Sequence, residues 1–155
     1  MPSPAKENER LQPLIGEWRM AVVMPGQERP NPLPDIGARV KFEWLGDKAF
    51  VVENWTVPIP EAPDGVAVIG WDAGRGTFLQ HYFDTRGVAR IYEMSFAAGV
   101  WTFARTKPDF SPFEFSQRFT GKFSADGQQI EGTWEISNDH KTWQKDFDLI
   151  YTRIS

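Results

Sequence analysis

The feature of this chain that most constrains its fold is a short apolar-to-polar alternation that recurs along almost its whole length. Residues 38–44 show it most clearly, since every second side chain is apolar and those between are Arg, Lys or Glu. A period of two is typical of a strand that buries one face. Clusters of Gly, Pro, Asp, Asn and Ser separate these segments, as turns between strands require. The sequence therefore predicts an all-β fold.

The alternating segments predict about ten strands that follow one another as a meander. Such a meander hides its edge strands best by closing on itself. We therefore expect a closed antiparallel up-and-down β-barrel, with a β-sandwich as the competing architecture. The predicted strands span residues 14–23, 38–44, 50–57, 66–71, 77–83, 88–96, 100–106, 115–123, 130–136 and 143–151.

The chain of 155 residues fits a single domain, 1–155. We expect an N-terminal arm over residues 1–13, with a short helix that Pro13 ends, and a barrel over residues 14–153. Residues 24–35 contain four prolines. Because proline cannot donate to a strand ladder, this segment predicts a long surface loop.

The composition narrows the class of function. The chain contains no Cys, which excludes disulfides and thiolate chemistry and agrees with a reducing compartment. Residues 1–12 lack the apolar run of a signal peptide, and no stretch is apolar enough to span a bilayer. The net charge is -4 with the signs interspersed, so nucleic acids and anionic membranes are poor partners. We expect a cytoplasmic protein with no nucleic-acid or membrane partner.

Hairpin loops predict which side chains share the inner face, because a two-residue loop fixes the register. With residues 85–86 as one loop, His81 lies opposite Arg90 and Phe83 opposite Val88. With residues 98–99 as the next, Phe96 lies opposite Trp101. The polar side chains expected on the inner face are His81, Arg90, Tyr92 and Arg105. The apolar ones are Leu79, Phe83, Val88, Met94, Phe96, Trp101 and Phe103.

A third hairpin is predicted at residues 126–127, an Asp-Gly pair. It places Phe123 by Ile130 and Phe119 by Trp134. Gln117 then shares the inner face with Phe119 and Trp134. Its amide can donate to a ligand or be a satisfied core amide, and both possibilities stay open.

Arg90 and Tyr92 are the strongest candidates for a ligand contact. They lie two apart on one strand face, a spacing that lets a guanidinium and a phenol hydroxyl bind one carboxylate. A buried cation is costly without a partner, and an anionic ligand group is one such partner. The alternative is that they pair with interior Glu53 or with water at the barrel mouth. Arg105 ends its strand and can reach solvent instead.

Candidates for catalysis or metal binding are few, and catalytic residues stay unassigned. His81 and His140 are the candidate general bases, and we expect His140, in a turn-like segment, to be solvated. His81 and Asp84 fall on opposite faces of a strand, so no metal site is predicted. Asp146 and Asp148 alternate with apolar residues as an outer, wet face does. The chain has no phosphate-binding glycine loop, serine elbow or zinc-helix motif.

The two ends of the chain resemble the closing signature of lipocalin-like (calycin) β-barrels. Leu14, Gly16 and Trp18 stand at the opening strand, and Tyr151 and Arg153 close the chain. In that superfamily a basic side chain near the last strand packs over the indole of the first. The resemblance therefore implies structural roles for Trp18 and Arg153, and a barrel that holds a small hydrophobic molecule. The ten-strand spacing most resembles uncharacterised bacterial members, and more distantly fatty-acid-binding and haem-binding barrels.

The leading hypothesis is a module that binds a small hydrophobic molecule, which can carry an acidic group. Arg90, Tyr92 and His81 would orient its polar end. Fatty-acid-binding relatives grip a carboxylate with an Arg-x-Tyr triplet near the last strand, whereas residues 90–92 lie in a middle strand. The expected apolar lining is Leu79, Phe83, Met94, Phe96, Trp101, Phe103, Phe119 and Trp134. The expected ligand contacts are His81, Arg90, Tyr92, Met94, Trp101, Phe103, Arg105, Gln117 and Trp134.

Two other hypotheses stay open. One is an enzyme or a haem-binding barrel that uses His81 as acid, base or axial ligand; otherwise no cofactor is expected. The other is a structural or interaction protein whose interior is filled by its own aromatic side chains. In that case the loop of residues 24–35 would dock a partner or a second subunit, as in a homodimer.

Overall fold

A computed structural model describes residues 4–105 and 115–155, and in this part of the chain ten antiparallel strands close into one barrel. A short helix, α1 (Pro4–Asn8), and a 3-10 helix (Glu9–Leu14) precede the barrel. The strands are β1 (Gly16–Val23), β2 (Arg39–Leu45), β3 (Phe50–Thr56), β4 (Gly65–Asp72), β5 (Thr77–Asp84), β6 (Ala89–Ala97), β7 (Val100–Arg105), β8 (Ser116–Phe123), β9 (Gln129–Ser137) and β10 (Gln144–Arg153).

The predicted fold class is confirmed, and the β-sandwich alternative is wrong. Each strand pairs with its neighbour in sequence, and β1 pairs with β10 to close the barrel. The observed strand ends differ from the predicted ones by at most two residues. Residue 106 of the seventh predicted strand and the segment between that strand and the eighth lie outside the described residues, as do residues 1–3 of the predicted arm. No helix in the described ranges is both long and apolar enough to cross a membrane.

The N-terminal segment plugs one end of the barrel. Leu11 and Leu14 are fully buried, because both point from the 3-10 helix toward the lumen. The Asn8 amide donates to the carbonyls of Lys48 (3.0 Å) and Ala49 (2.8 Å), and its oxygen accepts from the backbone N–H of Trp71 at 3.0 Å. The described part of the predicted arm is therefore an integral plug, fixed by a buried amide that bridges the β2–β3 turn and β4.

Trp18 and Arg153 stabilise the pairing of β1 with β10. They are register partners, and the Arg153 guanidinium lies 4.0 Å from the centre of the Trp18 ring. Arg153 also donates to the carbonyls of Ile15 (2.7 Å) and Pro13 (2.6 Å). Trp18 donates from its indole to the Leu14 carbonyl at 2.9 Å. The structural contact implied by the calycin resemblance is thus present.

The proline-rich loop of residues 24–35 folds back along the outer wall of the barrel. Arg29 forms a two-pronged ion pair with Glu131 of β9, at 2.7 and 2.8 Å. Nearer β2, Asp35 pairs with Arg39 at 2.8 Å. The predicted surface loop is confirmed, and it lies against its own barrel.

Candidate ligand-binding cavity

The end of the barrel opposite the plug holds a cavity of about 460 Å³. Its wall includes residues of every strand except β2 and β4, such as Val22 at the end of β1 and Gln117 at the start of β8. Near the plug the lumen is filled by side chains that are fully buried, including Trp18, Phe42 and Trp101. The barrel interior is therefore packed with side chains at the plugged end and open at the opposite end.

Aromatic rings form much of the cavity wall. Trp55 and Tyr82 stack with ring centres 5.2 Å apart, and the rings of Tyr92 and Phe103 pack edge-to-face with centres 5.1 Å apart. Flat, polarisable aromatic surfaces of this kind pack well against a planar apolar ligand. The other aromatic residues that line the cavity are Phe115, Trp134, Phe147 and Tyr151.

A polar cluster of Arg90, Tyr92 and Gln117 interrupts this apolar wall. Arg90 Nη1 donates to Gln117 Oε1 at 2.9 Å, and the Tyr92 hydroxyl donates to the same oxygen at 3.1 Å. All three residues are buried, so the sequence-based prediction that they share the inner face is correct. Gln117 is a satisfied acceptor here.

Arg90 is a buried cation without a counter-charge among the residues that the structure describes. Its guanidinium carbon lies 5.6 Å from the ring centre of Tyr82 and 5.8 Å from that of Phe115. Its Nε has no hydrogen-bond partner in the described ranges. The alternative in which Glu53 pairs with Arg90 is wrong, since the hydrogen bonds of Arg90 go to Gln117 and Tyr92.

Glu53 and Gln80 add two further polar groups to the wall. Glu53 is 6% exposed and Gln80 is 3% exposed. Within the described part of the chain, Glu53 Oε2 and Gln80 Oε1 lack hydrogen-bond partners. Burial raises the pKa of the Glu53 carboxyl from 4.5 to about 8. At neutral pH this group is therefore mostly a neutral acid, which can both donate and accept a hydrogen bond.

The predicted placement of His81 is wrong, together with that of Leu79 and Phe83. His81 pairs with Ile91 and is exposed on the outer wall, and Leu79 and Phe83 share that outer face. The inner face of β5 carries Gln80 and Tyr82 instead. The hypotheses of haem ligation or acid-base catalysis in the lumen lose the residue on which they depended.

The cause of this error is the turn between β5 and β6. Gly87 has a φ of 82°, and Asp84 N–H donates to the Val88 carbonyl at 3.0 Å. The loop thus has three residues and ends on a left-handed glycine, which shifts the register by one residue from a two-residue loop. An Asp followed three positions later by Gly is the sequence signal that could have indicated it.

The other predicted contact residues are divided between the cavity wall and the packed core. Phe103 and Trp134 line the cavity. Met94 and Trp101 are buried in the core, outside the residues that line the cavity. Arg105 is also buried and donates to the Phe115 carbonyl at 2.9 Å, so the expectation that it can reach solvent is wrong.

Asp146 lies at the rim of the cavity, contrary to the expected outer position. The register of β10 shifts between Lys145 and Phe147, and this bulge turns Asp146 toward the mouth. Burial raises the pKa of its carboxyl. Asp148 does face outward, where it accepts a hydrogen bond from the Thr133 hydroxyl at 2.9 Å.

His140 is exposed, as expected, and lies in the turn after β9. Its Nδ1 is 2.6 Å from the Ser116 hydroxyl oxygen. The neighbouring Asp139 accepts from the backbone N–H groups of Lys141 (2.8 Å) and Thr142 (2.7 Å). These contacts stabilise a turn. Over residues 4–105 and 115–155, no three His, Cys, Asp or Glu side chains are close enough to hold a metal ion.

Comparison with known proteins gives no assignment for this cavity. No protein-family model matches the chain, and no curated protein matches it significantly.

Proposed function

We propose that this protein binds a small apolar molecule with an acidic group in the open half of the barrel, and that the barrel is of the calycin type. The observation that carries the proposal is Arg90, a buried guanidinium at the cavity wall that makes no ion pair with any described carboxylate. A buried cation of this kind is costly unless an anion meets it.

The contacts around Arg90 favour a carboxylate as that anion. Gln117 and Tyr92 fix the guanidinium from one side, while its Nε has no described partner. A carboxylate that reaches Arg90 can therefore form a charge-assisted hydrogen bond. The surrounding aromatic rings would bury the rest of the ligand and supply most of the affinity. The contact between Trp18 and Arg153 supports the calycin assignment.

Calorimetric titration with 2-naphthoate and with neutral 2-naphthalenemethanol tests this proposal. Wild-type protein should bind the acid, and Arg90→Met should weaken that binding about 10- to 100-fold, since a charged hydrogen bond contributes about 1.5–3 kcal/mol. Binding of the alcohol should change much less.

Arg86→Met is the matched control, because Arg86 also lines the cavity but already pairs with Asp84 at 2.6 Å. It should leave the affinity for the acid nearly unchanged. Equal weakening of acid and alcohol by Arg90→Met would refute the role of Arg90.

A further inference from the structure

We infer that ligand binding in this cavity requires Glu53 to be a neutral acid, so that the affinity falls as the pH rises and Glu53 is the pH-sensitive group of the site. This inference rests on the proposed function, because it needs a ligand in the cavity, and it adds the regulation of that function by pH. It follows from three features, which are the position of Glu53, the side chains around it and the effect of filling the cavity.

Glu53 lies in the cavity wall and is shielded from bulk solvent. It is 6% exposed, and it lines the same cavity as Arg90. Its Oε2 is buried without a hydrogen-bond partner among the described residues. A carboxylate in this position loses hydration and gains no donor at that oxygen in return, which penalises the charged form. Burial is the cause of its raised pKa of about 8.

The strands beside Glu53 offer it no counter-charge. Its register partners are Phe42 in β2 and Ala67 in β4, and neither can ionise. Tyr151 of β10 also lines the cavity, and its phenol responds to the same carboxyl: burial and the charge of Glu53 both raise the pKa of Tyr151. A negative charge at Glu53 is therefore unfavourable to its own surroundings.

The other ionisable groups of the described wall are phenols, guanidinium groups and one rim carboxyl. The guanidinium groups stay protonated at the pH values where Glu53 titrates, and burial raises the pKa of the Tyr82 and Tyr151 phenols away from that range. The rim carboxyl is Asp146. The wall residues from β1, β7, β8 and β9 cannot ionise. The ionisable lining residues besides Glu53 are Tyr82, Arg86, Arg90, Tyr92, Asp146 and Tyr151.

Filling the cavity makes the charged form of Glu53 still less favourable. A space of about 460 Å³ with polar groups in its wall admits water, and an apolar ligand displaces that water. A carboxylate then loses solvent without gaining a counter-charge, whereas a neutral carboxyl loses much less. Ionised Glu53 also repels an acid that pairs with Arg90. Binding therefore takes up a proton wherever the free protein has released it, and the affinity falls as the pH rises through about 8.

Calorimetric titration at about pH 6.5 and about pH 9 tests the inference with 2-naphthoate and 2-naphthalenemethanol, neither of which changes its own charge in this range. At about pH 9 roughly one tenth of the free protein keeps the proton on Glu53, so the affinity of the wild type for both probes should fall about tenfold. Glu53→Gln cannot ionise, and its affinity for each probe should agree within about twofold at the two pH values.

Asp146→Asn is the matched control, because it removes the other carboxyl of the described wall; it should keep the pH dependence of the wild type. Titration at about pH 8 in two buffers of different ionisation enthalpy adds a measurement that needs no variant. Wild-type protein should take up about half a proton per ligand, since about half of the free protein is ionised at Glu53 there. Circular dichroism at each pH checks that the barrel is folded.

The results separate this inference from the proposal on which it rests. If affinity does not change with pH and no proton is taken up, while Arg90→Met still weakens the acid selectively, the acid-binding function stands and the role of Glu53 is wrong. A pH dependence that persists unchanged in Glu53→Gln also overturns that role. If Glu53→Gln removes the dependence but Arg90→Met weakens acid and alcohol equally, the regulation by Glu53 stands and the role of Arg90 is wrong. If neither probe binds, both proposals fail.

Discussion

Replacing Glu53 by Gln should stabilise the protein increasingly as the pH rises. The folded barrel raises the pKa of this carboxyl to about 8 from 4.5 because it buries the group. Between these values the folded state keeps a proton that the unfolded chain releases, so the free energy of unfolding falls as the pH rises. The full window of about 3.5 pH units corresponds to about 5 kcal/mol, at about 1.36 kcal/mol per unit. Glutamine cannot ionise and avoids this loss.

Urea unfolding of wild type and Glu53→Gln at about pH 5 and about pH 8 measures the effect. The variant should gain roughly 3–4 kcal/mol on the wild type between these two pH values, with little change in the slope of the transition. Glu61→Gln, in the exposed segment between β3 and β4, controls for the loss of one carboxylate and should follow the wild type. Parallel pH profiles for wild type and Glu53→Gln would refute the reasoning, because Glu53 would then ionise as freely in the barrel as in the unfolded chain.

Three substitutions at the plugged end should destabilise the fold. Gly16→Ala should cost about 2 kcal/mol or more in urea unfolding, because Gly16 has a φ of 130° and a Cβ there would overlap the Ser155 carbonyl; an unchanged midpoint would contradict this. Asn8→Ala should cost about 2–3 kcal/mol and speed hydrogen exchange at the Trp71 amide, which loses its acceptor. Unaltered exchange there would show that the plug is held by other contacts. Arg153→Met should lower the Tm by several degrees, since it removes the contact with Trp18 and the bonds to three carbonyls; an equal Tm would show that the closure does not depend on Arg153.

The barrel was predictable from the sequence because its signals are local. Alternation identifies each strand, and a Gly at a left-handed position marks most of the described turns. The hairpin at residues 98–99 illustrates this, since Ala98 and Gly99 have φ values of 53° and 73° and the predicted pairing of Phe96 with Trp101 is observed. The pairing of Phe119 with Trp134 is also as predicted.

The cavity was predictable only in part, because inside and outside depend on single-residue details of register. A three-residue loop before Val88 exchanged His81 for Gln80 on the inner face, and a bulge in β10 brought Asp146 to the rim. The closure of the barrel by the N-terminal arm could not be predicted from the sequence either. Leu11 and Leu14 are apolar and three apart, but only the tertiary structure reveals that they close the barrel.

The plug has a consequence for how charge is arranged in the lumen. Within the part of the chain that the structure describes, Trp18 and Trp101 fill the plugged end of the lumen, so a ligand would enter from the mouth. The first cation it would meet there is Arg86, whose charge Asp84 neutralises at 2.6 Å. The hydroxyl of Tyr82 donates to the same carboxylate at 2.6 Å. Arg90 is therefore the buried cation at the cavity wall for which no carboxylate partner exists in the described ranges, and under the proposed function the acid of the ligand would pair with it rather than with Arg86.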